Sequence, residues 1–243
     1  MVKKKSTRKE VTRSWSPASD VFEFFLESKV AAVLMAVNFS VFVFLRYFAP
    51  DSLWELLVLS PENLWQGRIW TLITSGFVHQ GWLHLFLNML GLFVFGRVVE
   101  REMGAAKTAF IYLGALLISM AASTWIYALI LHKNITIVGA SGAVMGLVAA
   151  AMLWAPFSIT YEMILPLPVM MKGWMFFYAD LQGFLGGERD GVSHLAHLAG
   201  FLSVALLVYY LSRKDQTKMR VGLLINLVSF AVFLLLKHWF LLP

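Results

Sequence analysis

The chain has 243 residues, of which 59% are hydrophobic and 14% are charged, with a formal net charge of +6. A soluble domain is about half apolar and about a quarter charged, so this composition, with a mean hydropathy of +0.73, excludes an ordinary soluble domain. The apolar residues lie in long blocks, which predicts a helix bundle embedded in a membrane. Because there is no cysteine, disulfides, thiolate zinc sites and a catalytic thiol are excluded.

The chain opens with a basic and polar stretch, residues 1–20, within the segment 1–28 that precedes the first long apolar block. A signal peptide would place its apolar core directly after the charges, so we predict a short cytoplasmic tail instead. The other basic residues lie in short connections between apolar blocks, where they orient membrane helices. This distribution favours the lipid bilayer as the partner of the positive charge and predicts no binding of nucleic acid.

Seven apolar segments are close to the length of about 20 residues that a membrane-crossing helix needs. They are 29–48, 82–100, 106–131, 138–155, 163–184, 192–212 and 221–241. The fifth contains Pro166, Pro168 and Lys172, which predicts an irregular start. The fold class is therefore all-α, a polytopic membrane helix bundle. We predict a core at 29–212 with six helices, followed by a linker and a seventh transmembrane helix at 213–243.

The distribution of lysine and arginine orients this bundle. These residues concentrate in the N-terminal stretch and in the connections 97–107 and 213–220, which all fall on one side of a serially threaded bundle. Cytoplasmic connections carry the excess of positive residues. The pattern predicts a multi-pass protein of the cell membrane with its N-terminus in the cytoplasm and its C-terminus outside.

The connection 49–81 then lies outside and mixes aromatic, aliphatic and charged residues. That mixture suits a segment lying in the membrane interface, and an ordinary folded outer loop fits it equally well.

Polar residues inside membrane spans are costly and indicate function, and here they form three clusters. The clusters are His79, His84 and Asn88; Ser141 with its neighbouring glycines; and Ser193, His194 and His197. Each lies near the N-terminal end of an even-numbered span, so serial threading puts all three at the outer face. With a helical rise of about 1.5 Å per residue, Ser141 and His197 should lie roughly 5–8 Å below the surface.

This convergence provides the groups that a serine hydrolase needs. A serine hydroxyl requires a base, for which neutral histidine is suited, so Ser141 is the candidate nucleophile and His197 the candidate base. His84 and Asn88 share a helical face and can donate hydrogen bonds to an oxyanion. We find no acidic residue near His197 at the right depth, which favours a Ser–His dyad over a triad.

The small residues around these groups predict close helix packing. Gly142 and Gly146 form a GxxxG pattern, which lets helices approach, and Gly200 offers a matching surface three residues after His197.

Other chemistries fit less well. His79, His84, His194 and His197 could bind zinc, but an HExxH motif is absent and no carboxylate accompanies them in the sequence to act as a base. An aspartyl mechanism needs paired carboxylates, and Asp180 alone does not supply them. The sequence therefore predicts neither a metal nor another cofactor.

The three clusters together resemble the rhomboid family of intramembrane serine proteases. HxxxxHxxxN occurs as His79, His84 and Asn88, and AHxxG occurs as Ala196, His197 and Gly200. GxSG occurs as Gly139, Ala140, Ser141 and Gly142, and the Gly96–Arg97 pair closes the second span.

The resemblance implies cleavage of transmembrane protein substrates that enter sideways past the fifth span. It implies Ser141 and His197 as catalytic residues, His84 and Asn88 in the oxyanion hole, and His79 as a supporting residue. Two positions differ from the family pattern. Thr71 stands where an arginine is common, with Arg68 nearby, and Met145 stands where an aromatic residue often packs under the catalytic imidazole.

Two functions outside this class are also open. A non-proteolytic relative would bind transmembrane clients without cutting them, although such proteins usually lose the serine or the histidine. A small transporter would use the histidines as proton relays, but its expected inverted repeats are absent from the sequence.

Overall fold

A computed structural model describes residues 28–160, 166–187 and 190–241. Its first helix, α1 (Lys29–Tyr47), matches the first predicted span and leaves Val33, Phe39 and Phe44 exposed. The backbone N–H groups of Val30 and Ala31 donate to the Glu100 carboxylate at 2.9 and 3.0 Å. An acidic group satisfies the free donors at a helix N-terminus, so Glu100 fixes the start of α1. The predicted tail, apart from Ser28, lies outside the described residues.

The connection 49–81 is folded. It contains the short helices α2 (Asp51–Leu57), α3 (Pro61–Trp65) and α4 (Thr71–Thr74), followed by a 3₁₀ turn at Ser75–Phe77. Leu59 and Val78 are fully buried, whereas Trp65 and Ile69 are exposed. Arg68 donates to Asn63 Oδ1 at 3.0 Å, so this arginine serves the connection itself. The loop is therefore folded against the core, and its contact with the membrane interface stays a prediction.

Two long helices follow, α5 (Trp82–Met103) and α6 (Ala105–Ile130). Each contains one π-helical turn, at Leu92–Gly96 and at Ile126–Ile130. Among the described residues, α1, α5 and α6 are the three helices long and apolar enough to cross a membrane by length and composition.

The next helix, α7 (Ser141–Trp154), is the centre of the bundle, and every residue from Gly142 to Met152 is buried. It begins three residues later than the predicted span because Gly139 has a φ of +107°, which is incompatible with a right-handed helix. Ser141 is therefore the first helical residue rather than one lying several residues inside the span.

A small hairpin precedes the fifth long helix. Strands β1 (Ile159–Thr160) and β2 (Leu167–Pro168) pair antiparallel, and α8 (Val169–Leu185) begins directly after them. The expected helix start at 163 lies outside the described residues, and the extended Leu167–Pro168 pair shows that the helix starts at Val169. Lys172 is buried and donates to both the carbonyl and the hydroxyl of Thr160 at 2.7 Å.

Helix α9 (His194–Leu207) continues into a 3₁₀ turn at Val208–Tyr210, and α10 (Arg213–Leu241) follows. Helix α10 packs on α7, where Asn226 donates to the Met152 carbonyl at 2.9 Å. Asp215, near the start of α10, pairs with Lys107, near the start of α6, at 2.6 Å. These two helix starts therefore lie on the same side, as serial threading requires. The fold class is confirmed, and the boundaries between tail, core and seventh helix stay a prediction.

Candidate active site

A cavity of about 550 Å³ lies among the N-terminal ends of α5, α7 and α9 and the C-terminal part of α8. Its walls contain most of the predicted site residues, namely His84, Asn88, Gly139, Ser141, Gly142, Met145 and His197. The topology therefore brings the polar clusters of the second, fourth and sixth spans together, as the sequence predicts. His79 lies beside the cavity, with its ring centroid 5.1 Å from that of His84.

Gly139 determines how Ser141 enters the cavity. Its positive φ turns the chain directly before α7, and its N–H donates to the Ser75 carbonyl at 2.9 Å. A Cβ at this position would lie 2.6 Å from His84 Nε2. Glycine is thus needed here both for the backbone conformation and for the close approach of the histidine to the turn before Ser141.

Helices α7 and α9 touch through their glycines. A Cβ on Gly200 would overlap the Gly142 carbonyl of α7, whereas a Cβ on Gly146 would overlap the Ala115 side chain of α6. The predicted close packing at these glycines is therefore present. It holds the first turns of α7 and α9, which carry Ser141 and His197, at the same cavity.

Within the described part of the chain, no hydrogen bond joins Ser141 Oγ to the His197 ring. Catalytic hydrogen bonds are often long before substrate binds, so the shared cavity is the relevant observation. Met145 is buried one turn after Ser141 and lines the same cavity. Its contact with the imidazole, like the catalytic roles of Ser141 and His197, stays a prediction.

The expectation that no acidic residue lies near His197 is wrong. Asp180 Oδ1 is 2.7 Å from His197 Nδ1, and both side chains are largely buried. Asp180 is on α8, which corresponds to the fifth predicted span. It therefore runs in the direction opposite to α9, which corresponds to the sixth. The C-terminal part of α8 therefore reaches the same face as the N-terminal part of α9, and this brings the carboxylate to the depth of the histidine.

The same carboxylate oxygen also contacts His194, whose Nδ1 lies 2.8 Å from it. The other ring nitrogen of His194, Nε2, is 3.1 Å from Asp190 Oδ2. Asp190 is exposed, in the connection before α9, and the Val192 N–H that it accepts holds the pKa of its carboxyl below the usual value. A chain of alternating carboxylates and imidazoles thus runs from the surface to His197.

The donor atoms of Asp180, His194 and His197 lie within 4.8 Å of one another, so these residues could hold a divalent metal ion. The view that no carboxylate accompanies the histidines is therefore also wrong. Among the described residues, His79 and His84 do not belong to this cluster, so the structure does not assemble the four-histidine zinc site.

His84 and Asn88 line the same cavity from α5. The Gln80 N–H points to His84 Nδ1 at 3.4 Å, which makes that nitrogen the acceptor and Nε2 the protonated one. Asn88 Nδ2 donates to the His84 carbonyl at 2.8 Å and has a second hydrogen to offer. His79 lies in the loop before α5, where burial lowers its pKa to about 4. His79 is therefore neutral at physiological pH.

Comparison with known proteins identifies the class. The Rhomboid domain family matches residues 66–214. The chain is 31% identical to the rhomboid protease AarA of Providencia stuartii over 198 residues, which cover 72% of this chain and 69% of AarA. It is 29% identical to the chloroplastic rhomboid-like protein 11 of Arabidopsis thaliana over 201 residues, covering 76% of this chain and 66% of that protein.

The mitochondrial RHOMBOID-like protein 12 of Arabidopsis thaliana is 28% identical over 202 residues, which cover 75% of this chain and 58% of that protein. The matched region is thus less than two thirds of the length of each of these two plant relatives, at 66% and 58%. Because the family match covers more than half of the chain, the chain belongs to the rhomboid family. It is a multi-pass membrane protein.

Proposed function

We propose that the protein is an intramembrane serine endopeptidase in which Ser141 is the nucleophile and His197 is the general base. The observation that carries this proposal is the common cavity of Ser141, His197, His84 and Asn88. Membership of the rhomboid family and similarity to a protein named as a rhomboid protease support it.

In the proposed reaction, His197 Nε2 takes the proton of Ser141 as its oxygen attacks the scissile carbonyl carbon. The tetrahedral intermediate collapses when His197 returns that proton to the leaving amine. A water molecule, deprotonated by the same imidazole, then hydrolyses the acyl-enzyme and regenerates Ser141. This sequence needs only one base that is neutral near pH 7.

The negative charge on the carbonyl oxygen needs donors that are in place beforehand. We assign this role to His84 Nε2–H and the free amide hydrogen of Asn88, together with N–H groups in the first turn of α7. The first N–H groups of a helix have no intrahelical acceptor, and the dipole there favours negative charge. His84 and Asn88 therefore face the turn that presents Ser141.

The proposed substrates are single-pass transmembrane proteins, which would enter from the lipid past α8 and the 49–81 connection. With the N-terminus in the cytoplasm, the cavity faces the outer side, and cleavage would occur near that boundary. Helix-breaking or small residues near the scissile bond would favour cleavage, because an intact helix hides its carbonyl groups in hydrogen bonds.

The test uses purified protein in liposomes with a single-pass substrate and a fluorophosphonate probe. We expect the probe to label Ser141 and the protein to cleave the substrate, and we expect Ser141→Ala to abolish both while the thermal unfolding temperature is unchanged. Cleavage that survives Ser141→Ala, or that a chelator stops, would contradict the proposal. Binding of the substrate without labelling or cleavage would instead favour a non-proteolytic client-binding function.

A further inference from the structure

Within the proposed function, on which this inference rests, we propose that Asp180 is a positioning residue that completes a Ser141–His197–Asp180 constellation. Its carboxylate holds the His197 ring in one orientation and one tautomer, so that Nε2 is free to act as the base. Asp180 does this from α8, a different helix from the one that carries the histidine.

A short hydrogen bond joins Asp180 to His197. Asp180 Oδ1 and His197 Nδ1 are 2.7 Å apart, and the two side chains are 9% and 18% exposed. An ionised carboxylate only accepts hydrogen bonds, so Nδ1 must carry the proton that it donates. In a neutral imidazole this leaves a lone pair on Nε2, which is the nitrogen that the proposed reaction uses.

The Asp180 carboxylate is buried and has a second partner, His194. A buried carboxylate is costly unless it is paired and hydrogen-bonded, and His194 provides that pairing. His194 Nδ1 faces Asp180 Oδ1 at 2.8 Å and Nε2 faces Asp190 Oδ2 at 3.1 Å. The His194 ring therefore lies between the two carboxylates, with one ring nitrogen facing each of them. His194 thus gives the buried Asp180 carboxylate a second hydrogen-bonding partner beside His197.

The surrounding helices leave room for the His194 ring beside Asp180. Gly183 lies one turn after Asp180, and a Cβ there would overlap the His194 ring. Ser193 caps α9 and exchanges a hydrogen bond of 3.1 Å with Tyr127 near the end of α6. The position of His194 is thus set by contacts from α6 and α8.

During attack, His197 becomes an imidazolium beside the Asp180 carboxylate. The carboxylate stabilises that charge, while the hydrogen bond prevents the ring from rotating away. The charged or titratable groups that meet His197 in the described residues are Asp180, His194 and, across the cavity, His84. Of these, Asp180 is the one that accepts a hydrogen bond from the ring.

The test compares wild type, Asp180→Asn, Asp180→Glu and the surface control Asp51→Asn in liposomes, with rates referred to the amount of folded protein. We expect Asp180→Asn to lower kcat and the fluorophosphonate labelling rate by about 100-fold or more, with KM nearly unchanged, because the amide removes the charge and the tautomer preference. Asp180→Glu, which keeps the charge, should recover part of the loss. Asp51→Asn should remain within about threefold of wild type, since Asp51 is exposed in the 49–81 connection and does not line the cavity.

Proton NMR provides a readout that is independent of turnover. Wild type should show a strongly downfield resonance from His197 Nδ1–H that disappears in both Asp180→Asn and His197→Ala. If Asp180→Asn keeps its kcat within about threefold while Ser141→Ala is inactive, the role of Asp180 is refuted and the proposed function stands. If wild type neither labels nor cleaves, the proposed function and this inference both fail.

Discussion

The described residues contain two pairs of neighbouring histidines at the cavity, one near the start of α5 and one at the start of α9. In the pair near the start of α5, the ring centroids of His79 and His84 are 5.1 Å apart. In the pair at the start of α9, the ring centroids of His194 and His197 are 6.0 Å apart. The spacing is similar, but the groups around the rings are different.

The first pair has backbone neighbours, since His79 Nδ1 faces the Phe77 carbonyl and His84 Nδ1 faces the Gln80 N–H. These contacts, and the lowered pKa of His79, suit neutral rings that donate hydrogen bonds. In the second pair, both rings contact the Asp180 carboxylate, which favours a ring that accepts a proton. In the proposed function, the neighbouring carboxylate, and not the residue type, separates the base from the oxyanion donor.

The largest expected effect is therefore at the carboxylate-bound pair. His197→Ala should lower kcat by roughly 10⁴-fold, because removal of the base leaves only the oxyanion donors and substrate binding. The measurement is single-turnover cleavage in liposomes. His132→Asn is the matched control, since His132 is exposed with a φ of +50° that asparagine tolerates, and its rate should equal that of wild type. An active His197→Ala protein would reverse the assignment of the two pairs.

A smaller effect is expected at the backbone-bound pair. His84→Ala should lower kcat by about 10²–10³-fold with little change in KM, the typical cost of one oxyanion donor. The same assay measures it, and His84→Gln should retain part of the rate because its amide can still donate. If His84→Ala were as inactive as His197→Ala, the loss of one hydrogen-bond donor to the oxyanion would not explain the loss of kcat.

The smallest of the three effects is expected where the turn before α7 meets His84. Gly139→Ala should reduce the rate by about tenfold and the free energy of unfolding by about 1–3 kcal/mol, through strain at positive φ and displacement of the His84 ring. Gly104→Ala is the control, because Gly104 also has a positive φ but has open space around it. It should lose stability and keep its activity. Equal activity of the two variants would show that the contact between Gly139 and His84 is unimportant.

Much of this arrangement follows from the sequence. The lengths of the apolar blocks predict the helices, and the polar residues at the starts of even-numbered spans predict which side chains share the cavity. The glycine pattern around Ser141 predicts the close approach of α7 and α9. These features depend on hydrophobicity and on the direction of each span, and both can be obtained from a linear sequence.

The contact between Asp180 and His197 is not predicted from the sequence. The prediction rests on polar residues at the starts of the second, fourth and sixth spans. The end of the fifth span reaches the same face of the bundle, but its polar residues are left out. Asp180 lies five residues before the end of α8 and His197 is the fourth residue of α9, so counting inward from the shared face would have paired them. The start of α8 was harder to predict, since it depends on the pairing of Leu167–Pro168 with Ile159–Thr160.

The placement of Asp180 and His197 on separate helices has a mechanical consequence. A hydrogen bond weakens steeply once donor and acceptor separate beyond about 3.5 Å, so a sideways displacement of α8 by about 1 Å is enough to loosen the histidine. Helix α8 is also the one past which substrates are proposed to enter. The basicity of His197 would then vary with the distance between α8 and α9. Lipids and an arriving substrate both influence that distance. The rate of cleavage would therefore depend on how closely α8 packs against α9.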